Sequence, residues 1–188
     1  MGTEGPGVPV FLTHTTKCTR MEALIPLYGL TGRAQELMDR LPPPCQNALL
    51  EPVSRRTVMA EVFRRLHFDD DVRLAILEIG IACDVRREAD HLVCQRVALL
   101  CARYVMSILD SRRRNVHRHT CWPEEVLQVL VRGAGTAQFL QSVRRRCLKV
   151  LQVLFDDTCP LWCTCETRRA IASMAPAAFP CFYEEGVT

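Results

Sequence analysis

Apolar residues recur at three- and four-residue intervals along most of this chain, and no stretch alternates with period two for long enough to make a sheet. Val58, Val62, Phe63 and Leu66 form one such stripe, with Arg55, Arg56, Arg64 and Arg65 largely off it, which predicts an amphipathic helix from Ser54. Asp69, Asp70 and Asp71 then stand where a following helix needs a cap and negative charge at its positive end. From Val72 to Cys83 two stripes run together, Val72, Ile76, Ile79 and Cys83 beside Leu74, Leu77 and Ile81. A helix apolar on nearly all sides belongs at the centre of a fold. Asp84 precedes the longest element, 86–112, which would span about 40 Å at helical rise. Its stripe is Val93, Val97, Leu100, Tyr104 and Ile108, with Cys94 and Cys101 on the same face as small core residues.

Capping signals bound the other elements. ThrArgMetGlu at 19–22 reads as a capping box for a short helix from Met21 to Tyr28, which Gly29 stops. Thr31 caps a second helix ending at Leu41, because Pro42, Pro43 and Pro44 cannot continue it. A brief helical turn is expected at 47–50. Residues 112–122 read as a loop. Pro123, Glu124 and Glu125 start a helix through Val131 that Gly133 and Gly135 end. Thr136 is expected to cap the next, with Leu140, Val143, Cys147, Leu151 and Leu154 on one face and Arg144, Arg145 and Lys149 near the other. Pro160 opens a last helix reaching Met174. The expected organisation is a flexible segment 1–18, a helical domain 19–175 and an aromatic tail 176–188. The fold class is all-α: one globular domain of seven to nine helices, in a bundle or orthogonal array around a central apolar helix.

Composition adds two biases. Arginine outnumbers lysine, Lys17 and Lys149 being the only ammonium groups among 24 basic residues, and there are 11 cysteines. Arg and Lys have nearly equal helix propensity, so folding does not demand the skew. GC-rich coding produces it, as in many herpesvirus genomes; guanidinium forks that grip carboxylates and phosphates would also explain it. A net charge of +3 is too small to imply nucleic acid by itself. The cysteines are odd in number and sit mostly inside apolar stretches, without the spacing of a secreted disulfide framework. The chain begins without a basic, then apolar, leader, and its apolar runs are broken by charge before the roughly 18 residues a membrane span needs. A reducing compartment, cytoplasm or nucleus, and no membrane partner are expected.

Candidate chemistry is sparse. The chain has no Gly-rich phosphate loop, nucleophile elbow, HExxH or dinucleotide fingerprint, which argues against an enzyme. No cofactor is expected, zinc being the one candidate. His117, His119 and Cys121, with Cys159, Cys163 and Cys165, could supply four ligands if their two loops meet. Against this, Cys163 and Cys165 would point about 200° apart on a helix. Arg112, Arg113, Arg114 and Arg118 form one basic cluster and Arg144 and Arg145, continuing into Arg146, another. Either could contact phosphates or an acidic partner. Trp122, Trp162 and Phe182 are candidate aromatic anchors for a protein partner.

One short segment carries a resemblance. SerValArgArgArgCysLeuLysValLeu, 142–151, resembles the elongin-C-binding box of the suppressor-of-cytokine-signalling and von Hippel-Lindau type, with Val143 where leucine is usual. The resemblance covers ten residues and implies that Val143, Cys147 and Leu151 anchor on elongin C in a cullin ubiquitin ligase. The expected function is therefore a non-enzymatic protein-interaction or adaptor protein, of the kind viral accessory factors represent. A nucleic-acid-binding regulator and a ubiquitin-ligase adaptor are the alternatives.

Overall fold

The computed structural model describes residues 29–51, 56–112 and 122–158. Seven helices account for most of them, with no strand among the described residues, so the chain is an all-α single domain. In chain order they are α1 (Gly32–Arg40), α2 (Pro43–Leu50), α3 (Arg56–Phe68), α4 (Asp70–Ala82), α5 (Glu88–Arg112), α6 (Glu124–Gly135) and α7 (Gln141–Thr158). The expected helices at 21–28 and 160–174, the segment 1–18 and the tail 176–188 lie outside the described residues.

Local chemistry sets most boundaries. Gly29 adopts φ 63°, the left-handed region that favours glycine and that helix termini use. Pro43 and Pro44 stop α1 yet occupy the first turn of α2, where a missing N–H costs nothing. The helix expected only over 47–50 therefore starts earlier. Asp69 caps α4 as its position implied, its Oδ1 accepting from the Val72 N–H at 3.1 Å. Two boundaries differ from expectation. Gly133 lies inside α6 rather than ending it, and Thr136 closes α6, its hydroxyl donating to the Arg132 carbonyl at 2.7 Å, while α7 begins only at Gln141.

Two helices share the centre. α4 packs on α1, α3, α5 and α6, and α5 packs on α2, α3, α4, α6 and α7. α4 is less enclosed than its two apolar stripes suggested, since Leu74 is 43% exposed. By length and composition alone, Glu88–Ser111 of α5 is long and apolar enough to cross a membrane, with Arg96 and Arg103 interrupting its apolar runs. Its charges are sparse, and the fold spends its apolar positions on the core, where Val93, Val97, Ala98, Cys101, Ala102 and Val105 are buried.

Small residues let the central helices approach closely. A Cβ on Gly80 of α4 would come within 2.6 Å of Val97 Cγ1 on α5, and one on Gly133 of α6 within 2.6 Å of Cys147 Sγ and 2.9 Å of Ala98 Cβ. Three buried thiols donate across these contacts: Cys94 to the Gly80 carbonyl at 3.3 Å, Cys101 to Val126 at 3.9 Å and Cys147 to Ala98 at 3.7 Å. Burial pushes all of them up, Cys94 to about 11 and Cys147 to about 12, so they remain thiols at neutral pH. Burial likewise raises Cys45 and Cys83.

Two polar groups tie the central turn. Asp90, fully buried at the start of α5, accepts from the Asp84 N–H at 2.8 Å, from the Thr31 N–H at 3.1 Å and from the Thr31 hydroxyl. Thr31 thus spends its hydroxyl on a tertiary contact instead of capping its own helix. From α6, Arg132 donates to the carbonyls of Gly80 at 2.8 Å, Ile81 at 2.6 Å and Cys83 at 2.7 Å. These are the orphan carbonyls at the C-terminus of α4, where positive charge is also favoured by the helix dipole.

Candidate functional site

α7 divides cleanly into two faces. Val143, Cys147, Val150, Leu151 and Leu154 are buried against α5 and α6, at the spacing of one helical stripe. Ser142, Arg145, Arg146, Lys149 and Gln152 are exposed at the spacing of the opposite stripe. Arg145 and Lys149 are one turn apart, about 6 Å along the axis. Neither they nor Arg146 pairs with a carboxylate among the described residues. Leu140, just before the helix, is also exposed, and its N–H is held by the Gln95 Oε1 at 2.6 Å. The result is a cationic ridge on a helix whose other side is fixed by core packing.

The candidate residues separate on this frame. Val143, Cys147 and Leu151, the anchors that the elongin-box resemblance implies, all point inward, with Cys147 0% exposed. In this arrangement they are core residues, because the segment's apolar positions are the ones that close α7 onto α5 and α6. Trp122 is buried as well and is not a surface anchor here. Arg144 is half-buried, its Nε donating to the Ala134 carbonyl at 3.3 Å near the end of α6, so its guanidinium serves the fold. Arg145 does stand on the surface. Arg112 ends α5. Arg113, Arg114, Arg118, Trp162 and Phe182 lie outside the described residues, as do the zinc candidates His117, His119, Cys121, Cys159, Cys163 and Cys165. Among the described residues no group of three or more His, Cys, Asp or Glu side chains is placed to hold a metal.

A second surface feature lies at the corner between α3 and α4. Arg64, Arg65, Phe68, Asp69, Asp70 and Asp71 line a depression of about 460 Å³. Glu61 organises its basic side: Arg64 forks onto it through Nε at 3.0 Å and Nη2 at 2.8 Å, and Arg65 Nε reaches it at 2.8 Å. Those hydrogen bonds hold the Glu61 carboxyl down at about 2 and raise Arg64. Phe68 is 81% exposed beside this clamp.

Sequence reasoning missed Phe68 as a surface feature and, although it set Lys149 near the polar face of its helix, did not join it to Arg145 and Arg146 as one ridge; the signal was available for both. Phe68 lies two residues past the buried Leu66, about 200° around the helix from the core stripe. Lys149 falls three residues after Arg146 on the polar face. Neither a known protein family, nor a curated protein, nor a solved structure matches this chain.

Proposed function

We propose that this chain is a non-enzymatic helical protein-interaction module whose binding face is the outward side of α7. The supporting observation is the ridge of Arg145, Arg146 and Lys149, left without carboxylate partners among the described residues on a helix locked from behind. Cations presented from a rigid element lose little freedom on meeting an acidic partner, and guanidinium forks add directional, paired hydrogen bonds. Exposed Leu140 at the end of the ridge offers apolar contact. The partner is thus an acidic surface with an apolar residue at one edge. The ubiquitin-ligase reading draws no support from this face, because its three anchors are turned into the core.

The test is a pull-down comparing the wild type with the triple variant Arg145→Glu, Arg146→Glu, Lys149→Glu. Reversal of Arg103, an exposed arginine on α5, is the control. The expected result is loss of the retained partner in the triple variant alone, with circular dichroism and thermal midpoint unchanged. Retention that survives the triple reversal sinks the proposal. Retention that nuclease treatment abolishes replaces it with nucleic-acid binding, whose affinity would also fall steeply with salt.

A further inference from the structure

Ser142 stands one helical turn before the cationic part of the α7 ridge. Three and four residues on within α7 are Arg145 and Arg146, the spacings at which helical side chains meet on the surface. All three residues are exposed. Neither arginine is in an ion pair among the described residues. The first turn of α7 also holds no acidic side chain. Two guanidinium forks can therefore close on an anion attached at Ser142, with nothing of like sign on that turn to oppose it.

The other hydroxyls of the described helices are differently placed. Thr57, exposed on α3, has Ala60 and Glu61 at the same spacings, so an added negative charge would meet a carboxylate. Ser107 and Ser111 donate to the carbonyls of Tyr104 and Ile108, each at 2.8 Å. Ser142 is also marked for an enzyme, because Arg144, Arg145 and Arg146 follow it directly after Val143. Such a run fits a serine kinase whose peptide groove is acidic beyond the acceptor. Helix ends fray, so the first turn of α7 is the part that can open into that groove.

We propose that Ser142 is a phosphorylation site whose phosphate folds onto Arg145 and Arg146 and switches off the α7 ridge. The γ-phosphoryl group of a nucleoside triphosphate passes to Ser142 Oγ. The Oγ–P bond forms, the bond to the departing nucleoside diphosphate breaks, and the hydroxyl proton goes to the base of the kinase. The product carries a charge of about −2 at neutral pH. That offsets Arg145 and Arg146 and leaves Lys149, two turns from the phosphate, as the remaining cation of the ridge. The switching rests on α7 being the binding face, whereas the modification site and its arginine clamp do not.

The full chain is treated with ATP and the catalytic domain of protein kinase C, which selects basic residues around its acceptor, and labelled peptides are mapped by mass spectrometry. Label at Ser142 should vanish in Ser142→Ala and form about tenfold more slowly in the double variant Arg145→Gln, Arg146→Gln. Phosphorus NMR of full chain carrying genetically encoded phosphoserine at 142 reads the clamp. Its second ionisation should fall below the value of about 6 for a free phosphate ester and return there in the double variant. Binding to immobilised polyglutamate should weaken about tenfold or more on phosphorylation. Circular dichroism should be unchanged throughout, since the substituted positions are exposed. Label confined to other residues overturns the proposal, as does a phosphorus titration identical in the two backgrounds or polyglutamate binding indifferent to the phosphate. An unmodified chain that does not bind polyglutamate strikes the α7 reading and the switch, while labelling and titration still decide the site.

Discussion

Gly80→Ala tests how closely the central helices are packed. Judged by α4 alone, the change should help, because alanine is favoured over glycine within a helix by about 1 kcal/mol. The structure opposes it. The new methyl would lie 2.6 Å from Val97 Cγ1, 3.2 Å from Val97 Cβ and 3.4 Å from Val129 Cγ2. The shortest of these is about 1 Å inside a normal carbon contact. Val97 cannot swing aside, since it is fully buried and a β-branched residue on a helix has essentially one rotamer. Moving α4 outward by that distance would stretch the Cys94 and Arg132 hydrogen bonds to the Gly80 carbonyl. Overpacking of this severity costs about 3 kcal/mol, leaving a net loss of about 2 kcal/mol after the propensity gain. For a chain of this size that lowers the thermal midpoint by about 4–8 °C. Scanning calorimetry and urea unfolding followed at a helical band should agree on it. Val97→Ala added to Gly80→Ala should destabilise by less than the sum of the two single changes, with a coupling of about 1 kcal/mol or more. A Gly80→Ala protein as stable as the wild type, or more so, refutes the close approach.

Arg132→Met should lower stability by about 3 kcal/mol in urea unfolding, because three carbonyls at the end of α4 lose a charged donor while the aliphatic stem is kept; a loss under about 1 kcal/mol would show that water replaces the guanidinium. Cys45, Cys83, Cys94, Cys101 and Cys147 should resist alkylation in the native protein and react once it is unfolded, as peptide mass mapping would reveal; rapid native labelling of Cys147 would mean that α7 leaves the core. The Glu61 carboxyl is held at about 2 in the folded chain against its usual 4.5. Its contribution is complete above about 4.5 and disappears as pH falls towards 2, so Glu61→Gln should flatten the acid limb of stability there. The effect is small because the clamp is exposed. Identical acid limbs for the two proteins would exclude the clamp as a source of stability.

What could be read from the sequence was what depends on near neighbours. Asp69 caps α4 and prolines separate α1 from α2 because both effects act within a few residues. The inward stripe of α7 follows from periodicity alone, and that same stripe accounts for its likeness to an elongin-binding box. The misreadings share a cause. Gly133 looked like a terminator because its reason for being glycine, Cys147 and Ala98 against its Cα, comes from other helices. Thr31 looked like a cap because its true partner, Asp90, is 59 residues away. Arg132 drew no notice among 24 basic residues, since nothing local distinguishes an arginine that serves the end of another helix. The unpaired state of Arg145, Arg146 and Lys149 was equally invisible, because it depends on where every carboxylate ends up.

The turn at Cys83 and Asp84 is held from both sides by opposite charges, Arg132 of α6 on its carbonyls and Asp90 of α5 on the Asp84 amide. The hairpin of α4 and α5 is consequently not a self-sufficient folding unit. Its corner is finished only when a helix about 50 residues later in the chain has docked, and Asp90, in the first turn of α5, also reaches back to Thr31 at the start of α1. The start of α1, the α4–α5 turn and α6 are thereby tied together, which favours their opening as one unit. The Asp84 amide should exchange its hydrogen only through global unfolding, at the rate of the slowest core amides. A chain cut between α5 and α6 would lose the end of α4 along with the helices removed.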